Sequence, residues 1–176
     1  MKVVVVSDSH GRDDLLYDLQ EQYPNADAFL HCGDVEAPQE NFPGYLIVQG
    51  NNDYYYDLPA HRVLPLGGHR VLLIHSHQFS YRKRDQQMIE FAKERGCDVV
   101  CYGHTHVADN RMKDGVLLLN PGSLRYSRDG RAPSYALLTL TPEQVSAQIV
   151  FWRNRNQKNG ISGSEQRMVG HVQLFS

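Results

Sequence analysis

The sequence lacks long apolar runs, has few cysteines and shows almost no excess of one charge. Apolar runs such as Val3–Val6 and Val116–Leu119 are far shorter than the roughly 20 residues that a membrane-spanning helix requires. Three cysteines cannot all pair within the chain and no signal-peptide pattern follows Met1, so we expect a cytoplasmic protein without a disulfide framework or a membrane segment. The 18 basic and 20 acidic residues give a net charge of -2, which argues against an extended nucleic-acid surface.

The sequence does contain an alternation of apolar strands and amphipathic helices in its first half, followed by strands joined by turns. With 176 residues, of which 41% are hydrophobic and 22% charged, it has the length and composition of one globular domain. The hydrophobic pattern predicts helices over Arg12–Tyr23 and Arg84–Arg95. It predicts strands over Lys2–Val6, Ala28–Cys32, Tyr45–Val48, Arg70–Ile74, Asp98–Tyr102, Val116–Leu119, Tyr135–Leu140 and Val145–Trp152.

The composition changes after Trp152. Residues Arg153–Gln166 are polar and rich in Gly, Ser, Asn and Lys, which is typical of a linker or loop. A weak alternation over Met168–Phe175 is compatible with one last strand. We therefore divide the chain into a domain over residues 1–152 and a polar tail over residues 153–176.

Polar clusters follow five of the predicted strands at their carboxyl ends. Open α/β sheets bind ligands at this edge, so the clusters are expected to converge on one site. Each cluster alone is also explained by a turn or by solvated side chains, but five in succession favour a metal site. They supply carboxylates, imidazoles and carboxamides: Asp8-Ser9-His10, Gly33-Asp34, Gly50-Asn51-Asn52-Asp53, His75-Ser76-His77 and Gly103-His104-Thr105-His106.

These clusters, in this order, resemble the motifs of the calcineurin-like metallophosphoesterase superfamily. The run His31-Cys32-Gly33-Asp34 and the turn Asn120-Pro121-Gly122-Ser123 resemble its small, single-domain phosphodiesterase branch of bacteria and archaea. The resemblance covers residues 1–152. It implies an α/β fold built as a four-layer α/β/β/α sandwich, in which two mixed β-sheets are flanked by helices.

The resemblance also implies two divalent metal ions and a hydroxide, shared by the ions, that attacks phosphorus. Nitrogen and oxygen ligands fit Mn, Ni, Fe or Zn, and among these we expect Mn. The implied ligands are Asp8, His10 and His106 for the first ion and Asn51, His75 and His104 for the second, with Asp34 bridging both.

Beside the bridging Asp34, three residues receive implied catalytic roles. Asp53 would orient a neighbouring ligand, as metal sites generally require. Asn52 occupies a position where many members carry a histidine; a carboxamide can bind a phosphoryl oxygen but cannot act as a general acid near pH 7. His77 is a candidate acid or phosphate contact in its place, and a solvated or orienting histidine is the alternative.

We therefore predict a metal-dependent phosphoesterase, and specifically a phosphodiesterase acting on a small phosphodiester. A non-catalytic interaction scaffold of the same fold and a nuclease are the alternatives. Tyr54–Tyr56 offers aromatic area for a homo-oligomer, the basic cluster Tyr81–Arg84 would favour polyanionic substrates, and Arg125 and Arg128 are candidate phosphate contacts. Ordinary exposed surface is the alternative for each of these three features, and for the arginines and the tyrosines it is the preferred one.

Overall fold

The computed structural model describes residues 1–153 and the backbone of residues 169–171. These residues form two β-sheets, two α-helices and two short 3₁₀ turns. The α-helices are α1 (Asp13–Gln22) and α2 (Arg84–Lys93). The strands are β1 (Lys2–Val6), β2 (Ala28–His31), β3 (Tyr45–Ile47), β4 (His61–Leu66), β5 (His69–Ile74), β6 (Val99–Tyr102), β7 (Asp109–Lys113), β8 (Val116–Asn120), β9 (Ser134–Thr141), β10 (Gln144–Phe151) and β11 (Val169–His171).

Each sheet combines parallel and antiparallel strands. The first sheet has the order β11-β10-β9-β1-β2-β3, in which β1 to β3 are parallel and β9 to β11 pair in antiparallel fashion. The second has the order β4-β5-β6-β8-β7, in which β5, β6 and β8 are parallel and the two edge strands are antiparallel. The predicted pair of mixed sheets is therefore confirmed.

The valine run of β1 shows why both faces of the first sheet are covered. Side chains alternate across a strand, and here Val3 and Val5 join the core between the two sheets while Val4 and Val6 join the core beneath α1. Because both faces are buried, the strand is a continuous apolar run rather than an alternating one.

The helices form the two outer layers of the sandwich. Leu16 and Leu19 of α1 pack on the outer face of the first sheet, and Met88 and Ala92 of α2 pack on the outer face of the second. The order of layers is α1, first sheet, second sheet and α2, which confirms the predicted four-layer sandwich.

Two strands of the second sheet, β4 and β7, were missed by the sequence pattern. Both are edge strands, so a neighbour pairs with only one side of each. Pro65 interrupts the apolar pattern of β4, and edge strands tolerate proline because one side needs no ladder hydrogen bond. β7 consists of Asp109–Lys113, in which Met112 is the one apolar residue, so it gives no hydrophobic pattern.

The predicted helices and the remaining strands are present, with ends that differ by one or two residues. Helix α1 begins one residue later than expected, and α2 ends at Lys93 rather than Arg95. The short strand β11 lies within the range 168–175 predicted for a last strand, whereas the predicted polar segment over 153–166 lies, after Arg153, outside the described residues. Neither of the described α-helices is long and apolar enough to cross a membrane.

His69, at the start of β5, joins three parts of the fold. Its Nδ1 lies 2.6 Å from Asp98 Oδ2 and its Nε2 lies 2.7 Å from the carbonyl oxygen of Thr141. Both partners are acceptors, so the doubly protonated imidazole satisfies both of them. Burial acts to lower the pKa of His69, but the hydrogen bonds to Asp98 and Thr141 raise it above its ordinary value of 6.5.

We expect His69→Gln to lower the free energy of unfolding by about 1–2 kcal/mol at pH 6 and by less at pH 9. A raised folded-state pKa contributes stability that is fully present below pH 6.5 and is lost as the pH rises through the folded value. Urea unfolding of both proteins at the two pH values measures the difference. Equal losses at pH 6 and pH 9 would show that the charge on His69 does not stabilise the fold.

Candidate metal centre

The predicted metal ligands lie in loops that follow strands of both sheets: β1, β2 and β3 in the first, and β5 and β6 in the second. The strand-end pattern predicted that all five loops lie at the edge of one sheet, whereas they come from two. The sequence does not show which sheet a strand joins. Backbone hydrogen bonds hold the loops together, from the Asp8 amide to the Gly33 carbonyl at 3.0 Å and from the Gly103 amide to the His75 carbonyl at 3.2 Å. The seven residues that meet there, called the ligand cluster below, are Asp8, His10, Asp34, Asn51, His75, His104 and His106.

One part of the ligand cluster contains Asp8, His10 and His106. Asp8 Oδ1 lies 3.0 Å from His106 Nε2 and 3.8 Å from His10 Nε2. The two histidine Nε2 atoms are 3.4 Å apart. All three side chains are buried, and their facing atoms are close enough together to hold one metal ion.

A second part lies around His75. Its Nε2 is 3.1 Å from Asn51 Oδ1 and 3.4 Å from Asp34 Oδ2. Nδ1 of His104 completes the group, 2.9 Å from the same Asn51 oxygen. The donors are again nitrogen and oxygen atoms, the set that suits Mn, Fe, Ni or Zn.

Asp34 lies between the two parts. Its Oδ2 is 3.9 Å from His10 Nε2 on one side and 3.4 Å from His75 Nε2 on the other. Asp34 therefore faces imidazoles from both groups, as a bridging ligand must. Asp8 Oδ1 also lies between them, 3.8 Å from His10 Nε2 and 3.9 Å from His75 Nε2.

A buried oxygen of Asp8 tests whether the residues present fit a metal ion. Asp8 Oδ1 is buried and has no hydrogen-bond donor among the described residues. Its nearest neighbour is Nε2 of His106, 3.0 Å away, in a ring whose Nδ1 donates a proton to the Tyr126 carbonyl at 2.7 Å. A buried, unpartnered carboxylate oxygen is costly, and a cation between these atoms would satisfy it.

The tautomers of the other buried histidines agree with this reading. His75 Nδ1 lies 2.7 Å from the Cys32 carbonyl, which can only accept, so Nδ1 carries a proton and Nε2 is the nitrogen that faces the other ligands. His10 Nδ1 lies 2.6 Å from Glu36 Oε1, which likewise leaves Nε2 for a ligand. Metal-binding histidines are oriented in this way by an acceptor behind the ring.

The backbone of the ligand cluster is strained. Within the described chain, eight non-glycine residues have a positive φ between 44° and 84°, and five of them belong to the cluster. L-residues rarely adopt this conformation, and it persists where function requires a side chain to point in a particular direction. The five are Asp8, His10, Asp34, His104 and His106.

Two glycines allow the loops to approach the carboxylates closely. A Cβ on Gly50 would overlap the Asp34 carboxylate and its amide nitrogen. A Cβ on Gly103 would overlap the Ser7 hydroxyl and come within 2.8 Å of Asp8 Oδ2. The glycines are needed for space around the ligands, since neither has a positive φ.

The ionisation of two of the proposed ligands, Asp34 and His104, suits ligation near neutral pH. Burial alone would raise the pKa of Asp34, but the His75 ring and the Asn52 amide outweigh this effect and lower the pKa to about 2. Burial and the charges of His75 and Arg84 lower the pKa of His104 to about 4. Asp34 is therefore ionised and His104 neutral at pH 7, the forms in which each can bind a metal.

Asp53, a residue with an implied orienting role, holds the backbone of three neighbours. Its carboxylate accepts hydrogen bonds from the amides of Asp34 at 2.7 Å, Gly50 at 2.8 Å and Glu36 at 2.7 Å. It is buried and all its contacts are to backbone, so its geometry supports orientation of the loops rather than direct ligation.

Asn52 and His77 lie at the edge of the ligand cluster. The backbone amide of Asn52 donates to Asp34 Oδ1 at 2.8 Å and its carboxamide donates to Asp34 Oδ2 at 3.1 Å. In this arrangement Asn52 fixes the proposed bridge. His77 is exposed, with its ring 5.4 Å from the ring of His75 and 6.2 Å from that of His104.

Glu36 is a residue that sequence reasoning missed. It follows Asp34 by two positions, has a φ of 62° and contacts His10. A carboxylate shortly after a predicted ligand was the available signal, but the sequence does not show that the loop turns back towards His10.

We expect Glu36→Gln to weaken metal binding about tenfold or more, because the neutral amide orients and polarises the His10 ring less strongly than a carboxylate. Metal titration of the metal-free protein measures the change. Glu40→Gln, an exposed position in the following turn, is the matched control and should bind metal like the parent. Unchanged affinity in Glu36→Gln would remove Glu36 from the site.

A cavity of about 320 Å³ opens beside the ligand cluster. Tyr126 and Arg128 form part of its wall. The guanidinium of Arg125 donates to the His10 carbonyl, and Arg125 does not line this cavity. Of the two arginines considered as phosphate contacts, Arg128 is the one that lines the cavity.

A family model described as the calcineurin-like phosphoesterase superfamily domain matches residues 1–143. The probable metallophosphoesterase YsnB of Bacillus subtilis is 34% identical over 155 residues, which cover 86% of this chain and 90% of that protein.

Two solved structures extend the comparison. A predicted phosphoesterase from Streptococcus pneumoniae TIGR4 is 28% identical with a TM-score of 0.79, and the match covers 85% of this chain and 88% of that chain. Vps29 from Entamoeba histolytica, solved with Zn²⁺, is 20% identical with a TM-score of 0.70, covering 98% of this chain and 99% of that one, and shows a shared fold alone. The family match and the identity to YsnB confirm the resemblance seen in the strand-end motifs: the chain belongs to the calcineurin-like phosphoesterase superfamily.

Proposed function

We propose that this protein is a phosphodiesterase that depends on two divalent metal ions. The observation that supports it most directly is the position of Asp34 between two groups of ligand atoms, 3.9 Å from His10 Nε2 and 3.4 Å from His75 Nε2. Membership of the superfamily supports phosphoester hydrolysis, and the two ions and the diester preference are the additional steps of the proposal.

The proposal assigns the ligand cluster as follows. Asp34 bridges the two ions, and its carboxylate is fixed by Asn52 from the side and by Asp53 through the backbone. When bound, the ions supply Lewis-acid chemistry: they neutralise phosphate charge and lower the pKa of water. Asp8, His10 and His106 hold one ion, and Asn51, His75 and His104 hold the other.

The charge around the cavity supports a diester at the reacting position. Among the described residues that line it, Arg128 is the permanently charged cation, and its neighbours include the carboxamides of Asn51 and Asn52 and three histidine rings. A phosphodiester carries one negative charge at phosphorus and a monoester near neutral pH carries almost two. A second negative charge on the reacting phosphorus would find no further guanidinium among the described residues that line this cavity, which favours the diester. We assign His77, whose ring lies 5.4 Å from that of His75, a contact with the leaving group or a phosphoryl oxygen.

A scaffold role is the alternative favoured by the similarity of the fold to Vps29. The donor set argues against it, since all seven positions of the ligand cluster carry metal-binding side chains and Asp8 Oδ1 is left without a hydrogen-bond donor. A purely structural cluster would gain nothing from an unpartnered buried carboxylate oxygen.

Hydrolysis of bis(p-nitrophenyl) phosphate by the full chain tests the proposal. Protein stripped with a chelator should be inactive, and Mn²⁺, which we propose as the native metal, should restore more activity than Ni²⁺, Fe²⁺ or Zn²⁺. p-Nitrophenyl phosphate tests the diester preference, and single-stranded DNA and RNA test the nuclease alternative. Faster turnover of the monoester would contradict a phosphodiesterase, and full activity of the stripped protein would contradict metal dependence.

We also propose that the protein is a cytoplasmic homo-oligomer. Tyr54 and Tyr55 are 66% and 80% exposed, and their rings lie against each other at a tilt with centroids 4.0 Å apart, which presents apolar area of the kind enriched at interfaces. Light scattering at micromolar concentrations measures the mass. A monomeric mass would contradict the oligomer, and Tyr55→Ser should reduce the mass if these rings form the contact.

A further inference from the structure

A groove extends from the metal centre along the second sheet. Its volume is about 630 Å³, and it shares His104 and Arg128 with the cavity beside the ligand cluster. The groove is therefore continuous with the place where the reacting phosphate would lie. Arg84 at the start of α2 and Tyr81 in the preceding turn form its far wall. We call this feature the arginine groove.

The acidic side chains in the arginine groove are already paired. Asp85 Oδ2 lies 2.6 Å from Arg111 Nη2 and 3.2 Å from Lys113 Nζ. Asp109 Oδ2 lies 2.8 Å from Arg111 Nε and also accepts the Tyr102 hydroxyl at 2.7 Å. These two carboxylates therefore leave no unpaired negative charge for another cation.

Arg84 and Arg128, in contrast, form no ion pair within residues 1–153. Arg84 Nε is buried and has no hydrogen-bond partner there. Arg128 is held by its backbone, whose amide donates to the His106 carbonyl at 3.1 Å, while its side chain lines both cavities. Two guanidinium groups next to the ligand cluster are thus available to an anion, and guanidinium geometry suits phosphate.

We propose that Arg84 and Arg128 form a subsite for a second phosphate of the substrate, so that the protein acts on phosphodiesters carrying an additional phosphate group. This rests on the proposed phosphodiesterase function. In the reaction, water adds to the diester phosphorus, one P–O ester bond breaks, and the products are a phosphomonoester and an alcohol that has taken the proton. The second phosphate is bound and leaves unchanged. Tyr81, which is 86% exposed with Arg84 6.0 Å from its ring centroid, offers an aromatic face beside this phosphate.

A matched pair of chromogenic diesters tests the subsite. Thymidine 5′-(p-nitrophenyl phosphate) and the same compound with a 3′-phosphate have the same scissile bond and differ only in the second anion. The parent protein, loaded with Mn²⁺, should show a kcat/KM about tenfold or more higher for the compound with the 3′-phosphate, the gain expected from charge-assisted hydrogen bonds. Arg84→Gln and Arg128→Gln should each lower this ratio, and the double variant should bring it close to one.

Arg82→Gln is the control, because Arg82 is exposed in the adjacent turn and does not line the groove; its ratio should match the parent. A ratio near one in the parent, or an unchanged ratio in the double variant, would overturn the subsite.

Calorimetric binding of thymidine 3′,5′-bisphosphate, compared with that of thymidine 5′-monophosphate, tests the subsite without turnover. If neither diester is hydrolysed but the double variant loses the preference for the bisphosphate, the phosphodiesterase proposal fails and the subsite stands. Equal binding of the two nucleotides by the parent would overturn the subsite itself.

Discussion

Asp34→Asn is expected to lower kcat for a phosphodiester by about 1,000-fold or more, a larger loss than for any other single change in the ligand cluster. Asparagine has nearly the same shape, so the loop can keep its place. However, it removes the charge that faces both groups of ligands, at Oδ2 distances of 3.9 Å to His10 and 3.4 Å to His75. It also weakens the two hydrogen bonds that Asn52 donates to this carboxylate.

Asp114→Asn is the matched control for this substitution. Asp114 is exposed in a turn with a φ of 50°, a conformation that asparagine tolerates well. This variant should keep the turnover and metal content of the parent. An Asp34→Asn protein that still binds two ions and retains turnover within tenfold of the parent would contradict a bridging role.

Gly50→Ala is expected to lower turnover about 100-fold, because an added methyl group would overlap the Asp34 carboxylate and displace it, and a shift of about 1 Å in a catalytic group costs that much. Metal content should fall in parallel. The backbone conformation at Gly50 is not left-handed, so the effect would come from the collision rather than from φ strain.

Gly115→Ala separates the effect of a steric collision from the effect of backbone strain. Gly115 has a φ of 79°, and nothing lies within 4 Å of an added Cβ, so alanine there introduces backbone strain without a collision. This control should lose stability and keep its metal. Metal content and turnover are measured for both variants. Full metal occupancy in Gly50→Ala would show that Asp34 does not depend on the space that Gly50 leaves.

The buried elements of the fold could be predicted because their sequences carry a strong apolar signal. β1, β6 and β8 are buried on both faces, and a strand of this kind reads as a continuous apolar run. The edge strands β4 and β7 could not be predicted in the same way. Their place in the sheet depends on backbone pairing with β5 and β8, which leaves their side chains free to be polar.

Part of the ligand cluster could also be expected from the sequence, because carboxyl ends of parallel strands collect ligands. The sequence did not reveal that two sheets contribute. It also gave no sign of interactions that depend on the path of loops, such as the contact between Glu36 and His10 or the two hydrogen bonds from Asn52 to Asp34. The pairing of Asp85 with Arg111, which leaves Arg84 without an ion pair within residues 1–153, depends on tertiary structure in the same way.

Titration of the metal-free protein with Mn²⁺, followed by electron paramagnetic resonance, tests the central claim most directly. Two ions bridged by Asp34 should be magnetically coupled, and the signal of free Mn²⁺ should stay low until two equivalents are bound. In Asp34→Asn the coupling should be lost. Saturation at one equivalent, with the spectrum of an isolated Mn²⁺ ion, would contradict a dinuclear centre.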